Sequence, residues 1–131
     1  SSFSFDSVKK VLYYSSYIYY LMNDGTLKIG TQDTPNFITE DEITGIKDIT
    51  LRGYSGLWIL TNSGQIYRYQ YGGEKFPMIQ YGVKFDKILL DGKIFLTADG
   101  IPYGVFNYYD GQWERNKIER YRKHYEYYDE N

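Results

Sequence analysis

Apolar residues in this chain come in short runs with two rhythms, and the rhythms recur in a fixed order. "VKKVLYY" (8–14), "IKDITLR" (46–52) and "FDKILLD" (85–91) each open on an apolar pair three residues apart: Val8 with Val11, Ile46 with Ile49, Phe85 with Ile88. Period-two partners follow at Tyr13, Leu51 and Leu90, which is the period of a strand. The runs that come next, "IYYLM" (18–22), "LWILT" (57–61) and "KIFLT" (93–97), are apolar on consecutive positions. Runs this short, each ended by a turn, predict strands covered on both faces, not helices. "NDG", "NSG" and "ADG" then supply a residue that takes positive φ readily and closes a tight hairpin. Third strands are predicted at "TLKIG", "QIYRY" and "IPYGV"; Pro102 removes a ladder donor and places the last of these at an edge or in an irregular stretch. "PNFIT" and "FPMIQ" read as fourth strands, and the Pro in each suits an outer edge.

Aligned, the three copies put Gly25, Gly64 and Gly100 in one column, spaced by 39 and 36 residues. Leu21, Leu60 and Leu96 share another column, followed by Met22, Thr61 and Thr97. A period in this range signals a repeat architecture. Each copy is a small antiparallel sheet whose second strand needs cover on both sides. One sheet alone cannot provide that, whereas sheets stacked face to face can. The predicted fold is therefore all-β: three consecutive antiparallel propeller-type blades, a partial β-propeller, at about 7–44, 45–82 and 83–116 of a single domain, 1–131. One β-sandwich with coincidental hairpins is the competing fold. The tail, 117–131, breaks the pattern: Ile118, Tyr121, Tyr125 and Tyr128 fall at helical spacing, and Glu119 with Lys123 and Arg122 with Glu126 are opposite charges four apart. A short amphipathic C-terminal helix is expected there, with an outer strand as the alternative.

The pattern carried by "IKDITLRGYSGLWILTNSGQIYRY" and "FDKILLDGKIFLTADGIPYG" resembles the regulator of chromosome condensation type repeat, a β-propeller blade. The resemblance covers roughly residues 7–105, and "PNFITEDEITGIKDI" looks like that family's outer strand leading into the next blade. The family commonly forms seven-bladed rings. Its members include guanine nucleotide exchange factors, chromatin binders and partner-binding platforms. This chain departs from the family in having three short copies and no basic tail, which weighs against exchange activity and chromatin binding.

Three blades do not close a ring, since propellers typically need four to eight. Both end faces would present apolar side chains and strand edges. Self-association is the simplest remedy, with two chains making a six-bladed ring through a heterologous contact. Capping by the termini is another, because Phe3 and Phe5 alternate in "SFSF" and could add a strand. A third is that these residues belong to a larger ring, although a Ser start also fits removal of an initiator Met.

Composition narrows the chemistry. One residue in five is aromatic, mostly the 17 Tyr, and this favours pleated, half-buried surfaces. The net charge of −2 and pI near 5.4, with no long Lys or Arg run, argue against nucleic acid as a partner. No stretch approaches the length of an apolar membrane helix, and "SSFSFDSVKK" lacks a signal-peptide pattern, so no membrane partner is expected. There is no Cys, and His124 is the only His, so a thiolate or multi-His metal site is not available. The Asp-Gly pairs (24–25, 91–92, 99–100, 110–111) do not follow calcium-loop spacing and read as turns. Glu40, Asp41, Glu42 and Glu74 are carboxylates with no visible pairing for glycoside hydrolysis, and "TEDEIT" (39–44) reads as a solvated loop. "YGGEK" (71–75) follows no phosphate-loop pattern. Neither an enzyme nor a cofactor is expected.

Aromatic residues near the turns are the better functional clue. Tyr17, Tyr54, Tyr69, Tyr71, Tyr108, Tyr109 and Trp113, with Tyr121 and Tyr125 in the tail, are candidates for contacts with a partner. The expected function is a non-catalytic repeat module in protein–protein interaction or structural assembly, completed by self-association, most simply as a dimer, and binding another protein. Ala98 is the only Ala, while Tyr, Ile, Lys and Asn abound, which suggests AT-rich coding. With the resemblance to repeats abundant in large DNA viruses, this points to a viral structural or accessory protein, cytoplasmic or virion-associated. A carbohydrate-binding propeller lectin using Trp58 and Trp113 is the alternative, although Trp58 shares the buried column with Tyr19 and Ile94. A small-GTPase regulator follows from the resemblance alone.

Overall fold

The computed structural model describes residues 3–104, 106–107 and 111–114. The expected tail helix, with Tyr121, His124 and Tyr125, lies outside them, as do Tyr108 and Tyr109.

Three antiparallel sheets follow one another along the chain, propeller-like blades in sequence order. The first holds β1 (Val8–Tyr14), β2 (Tyr17–Met22), β3 (Leu27–Thr31) and β4 (Thr34–Thr39), paired in chain order. The second repeats this with β5 (Ile46–Leu51), β6 (Leu57–Thr61), β7 (Ile66–Tyr69) and β8 (Lys75–Pro77). The third holds β9 (Phe85–Leu89), β10 (Ile94–Thr97) and β11 (Pro102–Tyr103), with Pro102 on the edge strand as its missing N–H requires. A separate two-stranded ladder, β12 (Phe106–Asn107) and β13 (Gln112–Trp113), follows it.

The turn is the same in every copy. Gly25, Gly64 and Gly100 each donate N–H to the carbonyl three residues back, at 3.0 Å, from φ of +85°, +90° and +86°. Thr61 and Thr97 also accept the N–H of Gln65 (3.2 Å) and Ile101 (2.8 Å) through Oγ1. Met22 has no hydroxyl, and there Asp24 Oδ1 accepts from Thr26 N at 2.9 Å. Each first strand also bulges at its second residue, Lys9, Lys47 and Asp86.

Alternation decides which side chains enter which seam. In each second strand one set points forward, to the next blade: Tyr19 and Leu21, then Trp58 and Leu60, then Ile94 and Leu96. The other set points back: Tyr20, Ile59 and Phe95. Tyr19, Leu21, Leu27 and Ile29 meet Ile49, Leu57, Ile59 and Tyr69 in the first seam. Trp58, Leu60 and Ile66 meet Phe85, Phe95 and Trp113 in the second. The two-faced cover expected from consecutive apolar residues is complete in β6, every residue of which is buried, whereas in β10 it is present on one face only.

The blades are also joined by backbone. Ile46 N donates to Gly25 O (2.9 Å) and Phe85 N to Gly64 O (3.1 Å), so the first residue of each new blade is hydrogen-bonded to the turn before it. A side chain at the turn would be in the way: a Cβ on Gly64 would lie 2.7 Å from Lys84 Cβ. Two ion pairs repeat the step nearer the first strands, Lys10 to Asp48 at 3.1 Å and Lys47 to Asp86.

The N-terminal segment does not add a strand. Phe5–Ser7 forms a 3₁₀ turn capped by the Ser4 hydroxyl, and Phe3 stacks on Phe37 with centroids 4.2 Å apart. Phe3 finds cover on Tyr20 and Phe37 by turning over the sheet, while Phe5, edge-on to Phe3, stays largely exposed.

Candidate functional site

The end faces of the stack are the surfaces at which the repeat leaves something unfinished. Ile94 and Leu96 occupy the positions of Tyr19 and Leu21 in the first blade and of Trp58 and Leu60 in the second. Those four are at most 3% exposed, because the following blade covers them. Ile94 and Leu96 are half-buried, and Leu89, paired with Ile94 on the same face, is 38% exposed. The turn carries the same mark: nothing lies within 4 Å of a Cβ placed on Gly100, where Gly25 and Gly64 each meet the next blade. At the other end, Val11 is 51% exposed, whereas its equivalent Ile49 is fully buried in the first seam.

The expected contact residues divide. Tyr17 and Tyr71 come together as an edge-to-face pair, centroids 5.1 Å apart, at the rim of the first seam. Tyr71 N donates to Tyr19 Oη (3.2 Å), and Tyr14 Oη donates to the Tyr54 carbonyl (2.7 Å), which presents Tyr54 to solvent at 99% exposure. Tyr54 borders an open depression of about 480 Å³ with Leu12, Thr50, Asp91 and Lys93. Tyr69 and Trp113 are not at the surface. Tyr69 is buried in the first seam, and Trp113 packs on Phe85 and Phe95, its indole N–H donating to Ile79 O at 3.0 Å. Trp58 is likewise interior, edge-on to Phe95 at 5.4 Å with the Arg52 guanidinium 5.1 Å from its ring. Neither Trp presents a stacking platform for a sugar.

Sequence reasoning missed the polar latch between the outer strands. Glu40, expected in a solvated acidic loop, is buried: Tyr69 Oη donates to its Oε1 at 2.8 Å, and Lys75 Nζ lies 2.9 Å from Oε1 and 3.0 Å from Oε2. The Glu42 amide donates to Oε2 as well, at 2.9 Å. Burial works to raise the Glu40 carboxyl, but these donors outweigh it and hold it below the usual carboxylate range. Burial and then the Glu40 carboxylate push the Tyr69 phenol far up, and the same carboxylate raises Lys75. Only acceptance by Glu40 satisfies a phenol buried there, so the arrangement is a joint between blades. Gln80 does the same work in the next linker, accepting from Ile66 N (2.6 Å) and donating to Gly64 O (2.8 Å) and Val83 O (2.7 Å). Among the described residues, no three His, Cys, Asp or Glu side chains form a metal-binding set, and no helix is long and apolar enough to cross a membrane.

Comparison with known proteins gave no match to a family model, to a curated protein or to a solved structure.

Proposed function

We propose that the chain is a non-catalytic propeller-repeat module of the regulator of chromosome condensation type, acting in assembly and protein–protein contact and completed by other copies of itself. The observation that carries this reading is the half-buried apolar pair Ile94 and Leu96, in positions that the other two blades use to bury the next blade. A further exposed apolar surface, Val11 and Tyr13 at 51% and 54%, lies on the opposite end of the stack. Exposed apolar surface at both ends of a linear array is what a ring, once closed, would remove. The Tyr17–Tyr71 pair and Tyr54 are the surface proposed for a second protein.

The test is the mass in solution, by light scattering or sedimentation, from nanomolar concentration upward. Two chains in one ring give twice the 15.5 kDa chain mass as a discrete species that does not grow further. A chain that stays monomeric and stable at all concentrations overturns completion by self-association.

A further inference from the structure

The N–H of the first residue of a blade has a fixed partner in the two seams: Ile46 donates to Gly25 O and Phe85 to Gly64 O. Among the described residues no blade stands before the first one, and there the Val8 N–H is taken by the carbonyl of Phe5 in the 3₁₀ turn. Phe3 covers Tyr20 edge-on at 4.9 Å, at the place where a forward-facing side chain of a preceding blade would lie. The turn is a partial substitute. None of its own residues is buried, Phe5 is 70% exposed, and Val11 remains uncovered beside it. At the opposite end, the Gly100 carbonyl has no donor of this kind among the described residues, and the space beside it is open.

Charge follows the same step. Along the second residue of the first strands the order is Lys9, Lys47, Asp86, and Asp86 already pairs back to Lys47. Lys9 donates to the Lys47 carbonyl at 3.0 Å, and among the described residues it has no acidic partner. A blade whose first strand carries Lys at this position would place that Lys on the free side of Asp86.

We infer that the forward face of the third blade, Leu89, Ile94 and Leu96 with the Gly100 carbonyl, receives the first blade of a second copy, which enters by displacing its own Phe3–Ser7 turn and sets the partner's Lys9 against Asp86. This rests on the self-association reading above and specifies its geometry: the contact is third blade to first blade, and the N-terminal turn competes with it. Gly100 O then replaces Phe5 O as the acceptor for Val8 N–H, so the number of satisfied backbone groups is unchanged and the gain comes from the apolar surface covered. Because the turn holds little buried surface, it lowers the affinity by occupying the site part of the time and does not close it permanently.

The experiment uses two blocked variants of the full chain. Leu96→Glu spoils the third-blade face and Val11→Glu the first-blade face, so neither variant finds an intact contact with itself. Mixed, the third blade of the Val11→Glu chain and the first blade of the Leu96→Glu chain are both intact. The expected result is two monomers that form a one-to-one dimer on mixing, with Phe3→Ala shifting wild-type assembly to about tenfold lower concentration. Circular dichroism checks the fold. Leu89→Lys and Tyr13→Lys, at the more exposed positions on the same faces, repeat the test if either Glu variant unfolds. Assembly lost in Leu96→Glu, kept in Val11→Glu and not restored by mixing indicates third blade against third blade and overturns the inference while leaving self-association standing. So does wild-type assembly that ignores both variants, or a Phe3→Ala chain that assembles no more readily. A wild-type chain that is monomeric throughout overturns both readings.

Discussion

Substituting alanine at Gly64 and at Gly100 separates what a blade seam contributes from what a left-handed turn residue costs. The two glycines have nearly the same φ, +90° and +86°, and make the same turn hydrogen bond at 3.0 Å. They differ in what stands beside them. A Cβ on Gly64 would sit 2.7 Å from Lys84 Cβ and 3.1 Å from its Cα, whereas on Gly100 it would meet nothing within 4 Å. Left-handed strain for alanine is about 1–2 kcal/mol, offset by ~0.4–1 kcal/mol from the stiffer denatured chain, so Gly100→Ala loses about 1 kcal/mol. Gly64→Ala carries the same loss. It adds roughly 1–3 kcal/mol for forcing Lys84 outward. It adds about 0.5–1.5 kcal/mol more for weakening the bond from Phe85 N to Gly64 O. The total is roughly 2.5–5.5 kcal/mol, a difference of about 1.5–4.5 kcal/mol between the two variants, on the order of 10 °C in melting temperature for a chain of this size. Urea unfolding, with its slope unchanged between variants, is the assay. Equal losses at the two positions would refute the claim that the next blade closes on the turn.

Other consequences follow from the same contacts. Ile59→Ala removes a fully buried side chain and should lose about 2–5 kcal/mol. Ile94→Ala, at the open face, should lose clearly less in dilute solution and more where the chain assembles; urea midpoints at low and high protein concentration decide it. Glu40→Gln presents an amide N–H₂ to donors already there and should lose about 1–3 kcal/mol at neutral pH. Because the Glu40 carboxyl titrates lower in the folded chain than in the unfolded one, its contribution is present above the unfolded value and is lost as pH falls through the folded one. Stability measured on acidification should therefore fall less steeply in Glu40→Gln than in the wild type below the ordinary glutamate range.

The seams were legible because their signal is local. "LWILT" is five apolar or small residues closed by a turn, and consecutive apolar positions mark a strand suited to burial on both faces. Gly25, Gly64 and Gly100 aligned because one turn geometry demands positive φ each time. Glu40 was misread because its partners are remote: Tyr69 is 29 residues away and Lys75 is 35, and the neighbouring acids look like any solvated run. Tyr69 and Trp113 read as candidate partner contacts from their nearness to turns. A residue at the end of a strand can still face a seam, and both do. Phe3 and Phe5 alternate as strand residues do, but alternation cannot distinguish pairing at an edge from folding over a face. Burial of Trp58 was indicated by its column, and burial of Trp113 was not, because β13 lies in a ladder outside the repeat.

The most direct test of stacked blades is amide hydrogen exchange at Ile46 and Phe85, whose N–H groups cross from one blade to the turn of the blade before. If the seams hold the molecule together, both amides exchange only with global unfolding, as slowly as Ile59 in the middle of β6. Exchange at Ile46 and Phe85 as fast as in the exposed loop around Tyr54, with Ile59 still protected, would mean that the sheets fold without being stacked and would contradict the account.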